Sequence, residues 1–157
     1  MNLRKTYMII LEKQTEKKNL YKKILDANVA LDKIQPTSLL TLQQFKKVEK
    51  KLHSKNFKVG IIIDSDNSLE SIEKNLTLFS MIQINFKNFK DGRPFTMAKE
   101  LRKLYLFKYE IRASGHILPD QFIFLLRSGF STVEIKEEEK EVWIDLYKMD
   151  DGLYYQP

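Results

Sequence analysis

Seven consecutive residues, Lys58-Val-Gly-Ile-Ile-Ile-Asp64, constrain the fold of this 157-residue chain more than any other stretch. A nearly unbroken β-branched apolar run bounded by a polar turn reads as a strand buried on both faces, the kind found in parallel sheets covered by helices. The residues that follow repeat the theme. Asp64 to Asn67 is a turn, and Ser68 is placed to cap a helix with Leu69, Ile72, Leu76 and Phe79 on one side. Met81 to Phe86 reads as a second strand, and Thr96 as the cap of a second helix with Met97, Ala98, Leu101, Leu104 and Tyr105 inside. Tyr109 to Ala113 is a third strand. Pro119 then suits the first turn of a helix burying Phe122, Ile123, Leu125 and Leu126, which Gly129 ends. Ser131 to Ile135 is a fourth strand. The acidic run Glu137–Glu139 sits at the positive end of a last helix carrying Val142, Trp143, Leu146 and Tyr147, with a strand over Val142–Lys148 as the competing reading.

Four strands each followed by a helix predict an α/β fold of about four βα units on a parallel sheet with right-handed crossovers. Spacing alone leaves a half-barrel and an open sandwich equally available. Before this core, residues 1–57 hold a short strand, Thr6 to Leu11, and then lysine-rich material read as mainly helical. There Pro36, Thr37 and Ser38 start a helix whose inner face is Leu39, Leu42, Phe45, Val48 and Leu52. The expectation is one domain, 1–157, with an N-terminal basic extension (1–57) and a βα core (58–157).

Charge supports that division. Residues 1–58 carry 14 basic and five acidic side chains, whereas residues 59–157 carry 13 and 16. The N-terminal lysines alternate with apolar residues at helical spacing, which describes a solvated helix face better than a nucleic-acid surface. The chain has no cysteine, which removes disulfides, thiolate metal sites and cysteine nucleophiles. Tyr7 to Leu11 is too short an apolar run for a signal peptide or membrane span, so a cytoplasmic protein is expected.

Of 27 basic side chains only five are arginine, and Arg93, Arg102, Arg112 and Arg127 fall within one segment. Arginine grips oxyanions with a planar fork that lysine lacks. Ligands of parallel α/β folds sit beyond the carboxyl ends of the strands, which nominates Asp64 and two loops. In Asn88-Phe-Lys-Asp-Gly-Arg93, Asp91-Gly92 makes a sharp turn with glycine free to take positive φ, aiming Arg93 at the sheet end. In Arg112-Ala-Ser-Gly-His-Ile-Leu-Pro-Asp-Gln121, Arg112, Ser114 and Gly115 precede a helix N-terminus and together could cradle an oxyanion. Asp64, Asp91, Gly92, Arg102, Asp120, Gln121 and Arg127 are the supporting polar residues; Asp91, Arg93, Arg112, Asp120 and Arg127 could equally form a buried ionic network. No nucleotide-binding glycine motif, histidine pair for metal or G-x-S-x-G elbow occurs, so no metal and no cofactor is expected.

The string Ile84-Asn-Phe-Lys-Asn-Phe-Lys-Asp-Gly-Arg93, with Ala98, Leu101-Arg102, Arg112-Ala-Ser-Gly115, Ile117-Leu118, Asp120-Gln121 and Arg127-Ser-Gly-Phe130, resembles a bacterial family of unknown function often labelled an oxidoreductase involved in sulfite reduction. The strand Val59 to Asp64 and the terminal Tyr155-Gln156 fit as well. Departures are Pro94 for a usual glycine, Thr96 for serine, His116 for an acid and Ser128 for cysteine; the last weakens the literal oxidoreductase label. The resemblance implies a role beside sulfite reductase or a related sulfur-assimilation enzyme, and no cofactor or catalytic residue. The resulting expectation is an accessory protein that binds a small oxyanion or docks a reductase, possible homodimers covering an open sheet edge. A small βα enzyme acting on an anionic metabolite through Asp91, Asp120 or His116 is the alternative.

Overall fold

A computed structural model describes residues 6–153. Eight strands form one sheet: β1 Met8–Glu12, β2 Thr15–Lys17, β3 Lys22–Lys23, β4 Ser38–Thr41, β5 Val59–Asp64, β6 Phe79–Phe86, β7 Glu110–Gly115 and β8 Thr132–Lys136. Their spatial order is β2-β1-β8-β7-β6-β5-β4-β3. Neighbours from β3 to β8 are parallel, but β1 runs antiparallel to β8 and β2 antiparallel to β1. The sheet is therefore mixed, which corrects the all-parallel expectation. Its cause is the N-terminal hairpin, which pairs Ile9 with Ile135 and Leu11 with Val133 and so covers the edge that β8 would otherwise leave open.

The N-terminal segment is not mainly helical. Its described part supplies four strands, a 3-10 turn at Leu31–Lys33 and one helix, α1 Leu42–Leu52. Ser38 does not start that helix; Ser38, Leu39 and Leu40 are buried in β4. The start is Thr41, whose Oγ1 accepts from Gln44 N while the Gln44 side chain accepts from Thr41 N, a reciprocal box that satisfies two orphan amides. Phe45, Val48 and Leu52 bury as their spacing requires.

The expected helix after β5 is replaced by two 3-10 turns, Leu69–Ser71 and Glu73–Leu78, though Ser68 still caps the first by accepting from Glu70 N. Helices α2 Arg93–Lys103, α3 Phe122–Ser128 and α4 Lys140–Leu153 follow. Thr96 lies inside α2, whose start is set by Asp91 accepting from Arg93 N and by Pro94 in the first turn. The acidic run forms a 3-10 turn, and the helical reading of the C-terminal segment holds, with Trp143 fully buried against Phe122.

Connectivity dictates the curvature. β2 and β3 are the two outermost strands, yet only Lys18, Asn19, Leu20 and Tyr21 join them. Five peptide units span at most about 18 Å, whereas eight strands laid flat would put their edges about 34 Å apart. The sheet is accordingly curled into a half-barrel, and the four-residue strap bridges its open side.

The helices cover one face. Ile61 and Ile63, Ile82 and Ile84, Ile111 and Ala113, and Val133 and Ile135 meet Phe45, Met97, Leu101, Phe122 and Trp143 in a continuous core. By register, the other face carries Gly60, Ile62 and Asp64, then Met81, Gln83 and Asn85, then Glu110, Arg112 and Ser114, then Thr132. The strap lies against this inner face: a Cβ on Gly60 would stand 2.9 Å from the Tyr21 ring and 2.9 Å from Leu39 Cδ1.

Gly60→Ala is accordingly expected to displace Tyr21 and destabilise the fold by about 1–3 kcal/mol. Urea unfolding followed through the single tryptophan checks the stability, and faster tryptic cleavage at Lys18 or Lys22 checks the strap; unchanged values for both would refute the packing role.

Candidate functional site

Gln83 and Asn85 in β6, and Glu110, Arg112 and Ser114 in β7, stand two residues apart, and alternation sends those side chains to the inner face, away from the helices. Arg112 lies there in mid-strand rather than at a strand end, only 2% exposed. Its Nη2 donates to Glu110 Oε1 at 3.3 Å and its Nη1 to Asn19 Oδ1 of the strap at 3.1 Å. The guanidinium carbon stands 5.6 Å from the centre of the Tyr21 ring. Thr132 Oγ1 donates to the same Glu110 oxygen at 2.9 Å, and Tyr21 Oη shares a 2.7 Å hydrogen bond with Ser80 Oγ. Burial pushes the Tyr21 phenol above its ordinary range, so it stays protonated.

Towards the carboxyl ends of the strands the polar row continues. Gln83 Nε2 donates to Ser114 Oγ at 3.0 Å, and Ser114 lies within 3.5 Å of Asn85 Oδ1. Asn85 Nδ2 donates to Asp64 Oδ1 at 3.1 Å. Gly115, at φ +87°, lets the chain pass close to β6; a Cβ there would overlap Asn85 Oδ1 and the Phe86 carbonyl. Two buried atoms of this face have no partner, Arg112 Nε and Gln83 Oε1. They belong to register neighbours on adjacent strands. Clefts of about 350 Å³ flank the carboxyl-end mouth on both sides, one lined by Leu39, Thr41 and Ile62, the other by Gly115, His116, Glu134 and Lys136.

The remaining residues nominated from sequence fall elsewhere. Arg93 is 59% exposed at the side chain and grips Asp91 with both Nε and Nη2 at 2.9 Å. The arginine beside it, helped by Ser65, holds the Asp91 carboxyl well below the usual carboxylate range. Gly92 has φ −88°, so this turn needs no left-handed residue. Arg102 is a brace: its guanidinium donates to the carbonyls of Gly129 at 2.9 Å, Phe107 at 2.8 Å and Tyr109 at 2.7 Å. Asp120 is exposed in the turn Pro119–Gln121, Gln121 accepts from Leu118 N, and Arg127 lies on the exposed side of α3. The five-member network is thus divided, with Arg93 paired to Asp91 and Arg112 to Glu110. Among nominated residues, Arg112, Ser114 and Asp64 share one surface, and Gly115 closes the end of β7 against Asn85 and Phe86.

Sequence reading missed Gln83, Asn85, Glu110 and Thr132, although Glu110, Arg112 and Ser114 at i, i+2 and i+4 of one strand and Gln83 and Asn85 at i and i+2 of the next were the available signal. It also missed Asn19 and Tyr21, which no motif marks. Among the described residues no cluster of histidine and carboxylate side chains could hold a metal ion, and no helix is long and apolar enough to cross a membrane.

A family model described as a bacterial protein of unknown function (DUF934) matches residues 60–156. The match covers the core from β5 onward, with Gln83, Arg112 and Ser114 inside it and the strap outside it; Tyr155 and Gln156 lie within the match but outside the described residues. No curated protein and no solved structure matches the chain.

The Asp91 pairing sets a pH dependence. Its folded pKa is depressed, so the stabilisation is complete above the unfolded value near 3.9 and is lost as pH falls below it. Asp91→Asn is expected to cost about 1 kcal/mol at pH 7, below the usual range for a bond to a charged group because Arg93 stays solvated. The gap from wild type should narrow below pH 4 in denaturant titrations; a gap independent of pH would exclude the ion pair as its origin.

Proposed function

We propose that this chain, which belongs to the bacterial family of unknown function DUF934, is an accessory protein that binds a small oxyanion on the inner face of its half-barrel, at Arg112. One observation carries the reading. A guanidinium 2% exposed has five N–H donors, yet one nitrogen has no partner, one is held by a neutral strap amide, and one meets a carboxylate at 3.3 Å. A buried donor left unpaired costs on the order of 1–3 kcal/mol, a cost that a bound oxyanion would remove. Asn19 Oδ1 occupies the direction of a ligand oxygen on Nη1, so access requires the strap Lys18–Tyr21 to swing away.

The resemblance of Ile84–Arg93 and Arg112–Gly115 to a family labelled for sulfite reduction makes sulfite the first ligand to examine, in sulfur assimilation beside a reductase. Ser114 stands on the same face as Arg112. Arg93, satisfied by Asp91, is in this reading a rim residue rather than a second clamp.

Docking to a reductase is favoured by a different feature. Leu104 and Leu106 are 71% and 69% exposed, and Leu106 has φ +55°, a left-handed conformation that bulky residues seldom adopt. That loop is braced from within by Arg102.

Thermal unfolding with sulfite, sulfate and phosphate separates the two. An anion at about a hundred times its dissociation constant adds roughly 2.7 kcal/mol, a rise in midpoint on the order of 5–10 °C for a domain of this size. The rise should disappear in Arg112→Lys, which keeps the charge and loses the fork. A flat panel with folded wild type would refute the anion site and leave the docking reading.

A further inference from the structure

The two unpartnered atoms of the inner face are of opposite kind. Arg112 Nε–H is a donor and Gln83 Oε1 an acceptor, and both side chains are 2% exposed on paired positions of β7 and β6. An anion with only lone pairs could satisfy the first and would face the second with repulsion. A ligand bearing both an anionic oxygen and an O–H could satisfy both. Gln83 Nε2 donates to Ser114 Oγ, which leaves Oε1 as the amide atom without a partner.

Charge leads to the same ligand class by a separate route. Along this face the Arg112 guanidinium is accompanied by Glu110 at 3.3 Å and by the Asp64 carboxylate at the end of the polar row. A ligand of high negative charge would meet two carboxylates and one cation. A protonated monoanion such as dihydrogen phosphate or hydrogensulfite meets less repulsion than the sulfate dianion.

On the Arg112 reading above, we infer that the ligand is a protonated oxyanion of the dihydrogen-phosphate or hydrogensulfite type, that Gln83 is its specificity-determining residue, and that sulfate is rejected. Sites built to accept a hydrogen bond from a ligand hydroxyl discriminate strongly against analogues lacking it, because the buried acceptor is left unpaired.

Titration calorimetry of the full chain at pH 7 with inorganic phosphate, sulfate, arsenate and selenate tests this. The first and third ions keep a proton at that pH and the second and fourth do not, while each protonated ion has a partner of similar size. Phosphate and arsenate should bind at least about a hundredfold more tightly than sulfate and selenate. Gln83→Leu, similar in volume, should weaken phosphate and arsenate until the two classes lie within a few-fold of each other. Sulfate within a few-fold of phosphate on wild type would overturn the inference while leaving the Arg112 site standing; so would a folded Gln83→Leu that keeps the full preference. Silence from all four ions would overturn this inference, and a flat response to sulfite as well would overturn the Arg112 reading. Should Gln83→Leu fail to fold, judged by Trp143 fluorescence, the wild-type ratios in the two ion pairs decide the matter.

Discussion

Four residues tie together the two outermost strands of an eight-stranded sheet, and the rest of the architecture adjusts to that short tether. A span of about 18 Å cannot bridge a flat sheet of this width, so the strands must coil. Coiling gives the sheet an inside and an outside. The outside is covered by helices that bury β-branched residues, and the inside is too narrow for a second helical layer. The strap fills it instead: Tyr21 lies over Gly60, reaches Ser80 through its hydroxyl, and brings Asn19 onto Arg112. Gly60 matters here for the absence of a side chain rather than for backbone freedom.

A polar interior follows from that geometry, and its energetics differ from those of an ordinary core. Arg112 and Glu110 are two residues apart on one strand, hence on the same face, and they pair at a distance too long for a strong bidentate bridge. Desolvating both charges is costly, and one long contact offsets it incompletely. Thr132 and Asn19 supply further hydrogen bonds, and Nε still lacks a partner. By contrast, Arg102 on the outer side spends its donors on three carbonyls and acts as a brace. Two arginines from one cluster in the sequence thus have opposite characters: one is saturated by backbone, the other is held short of saturation in a place a ligand could reach once the strap moves.

Much of the core was legible in the chain. The run Val59–Asp64, the strands at 81–86, 109–113 and 131–135, and the helix through Met97, Ala98 and Leu101 are local patterns, and local patterns are what a sequence displays. The N-terminal segment was not, because its strands are two to five residues long and lysine-rich, and they become strands only by pairing with distant partners: Lys22 with Ser38, Met8 with Lys136. The Thr41–Gln44 box was readable and would have placed the start of α1. Arg112, Ser114 and Gly115 were nominated because they stand close together in the sequence, whereas Gln83 and Glu110 were passed over because their meaning depends on which face a strand turns inward. Asn19 could not have been found, since its role is set by a chain crossing some ninety residues upstream of its partner.

The family match divides this site in an informative place. Residues 60–156 include Gln83, Arg112, Ser114 and Gly115, while Asn19 and Tyr21 lie before them. The inward-facing chemistry is therefore part of the matched core, and the piece that covers it comes from a segment the family model does not reach. Gly60, the first matched residue, stands at that junction, its missing side chain making room for a tyrosine contributed from outside the match. A chain with another N-terminal segment could keep the same guanidinium and amide and cover them differently, or leave them open. On physical grounds the recognition chemistry proposed for this face and the access to it are separable: the former rests on strand register within the core, which cannot slip without turning every side chain to the other face, and the latter on a four-residue crossing whose contacts with the inner face run through Asn19 and Tyr21.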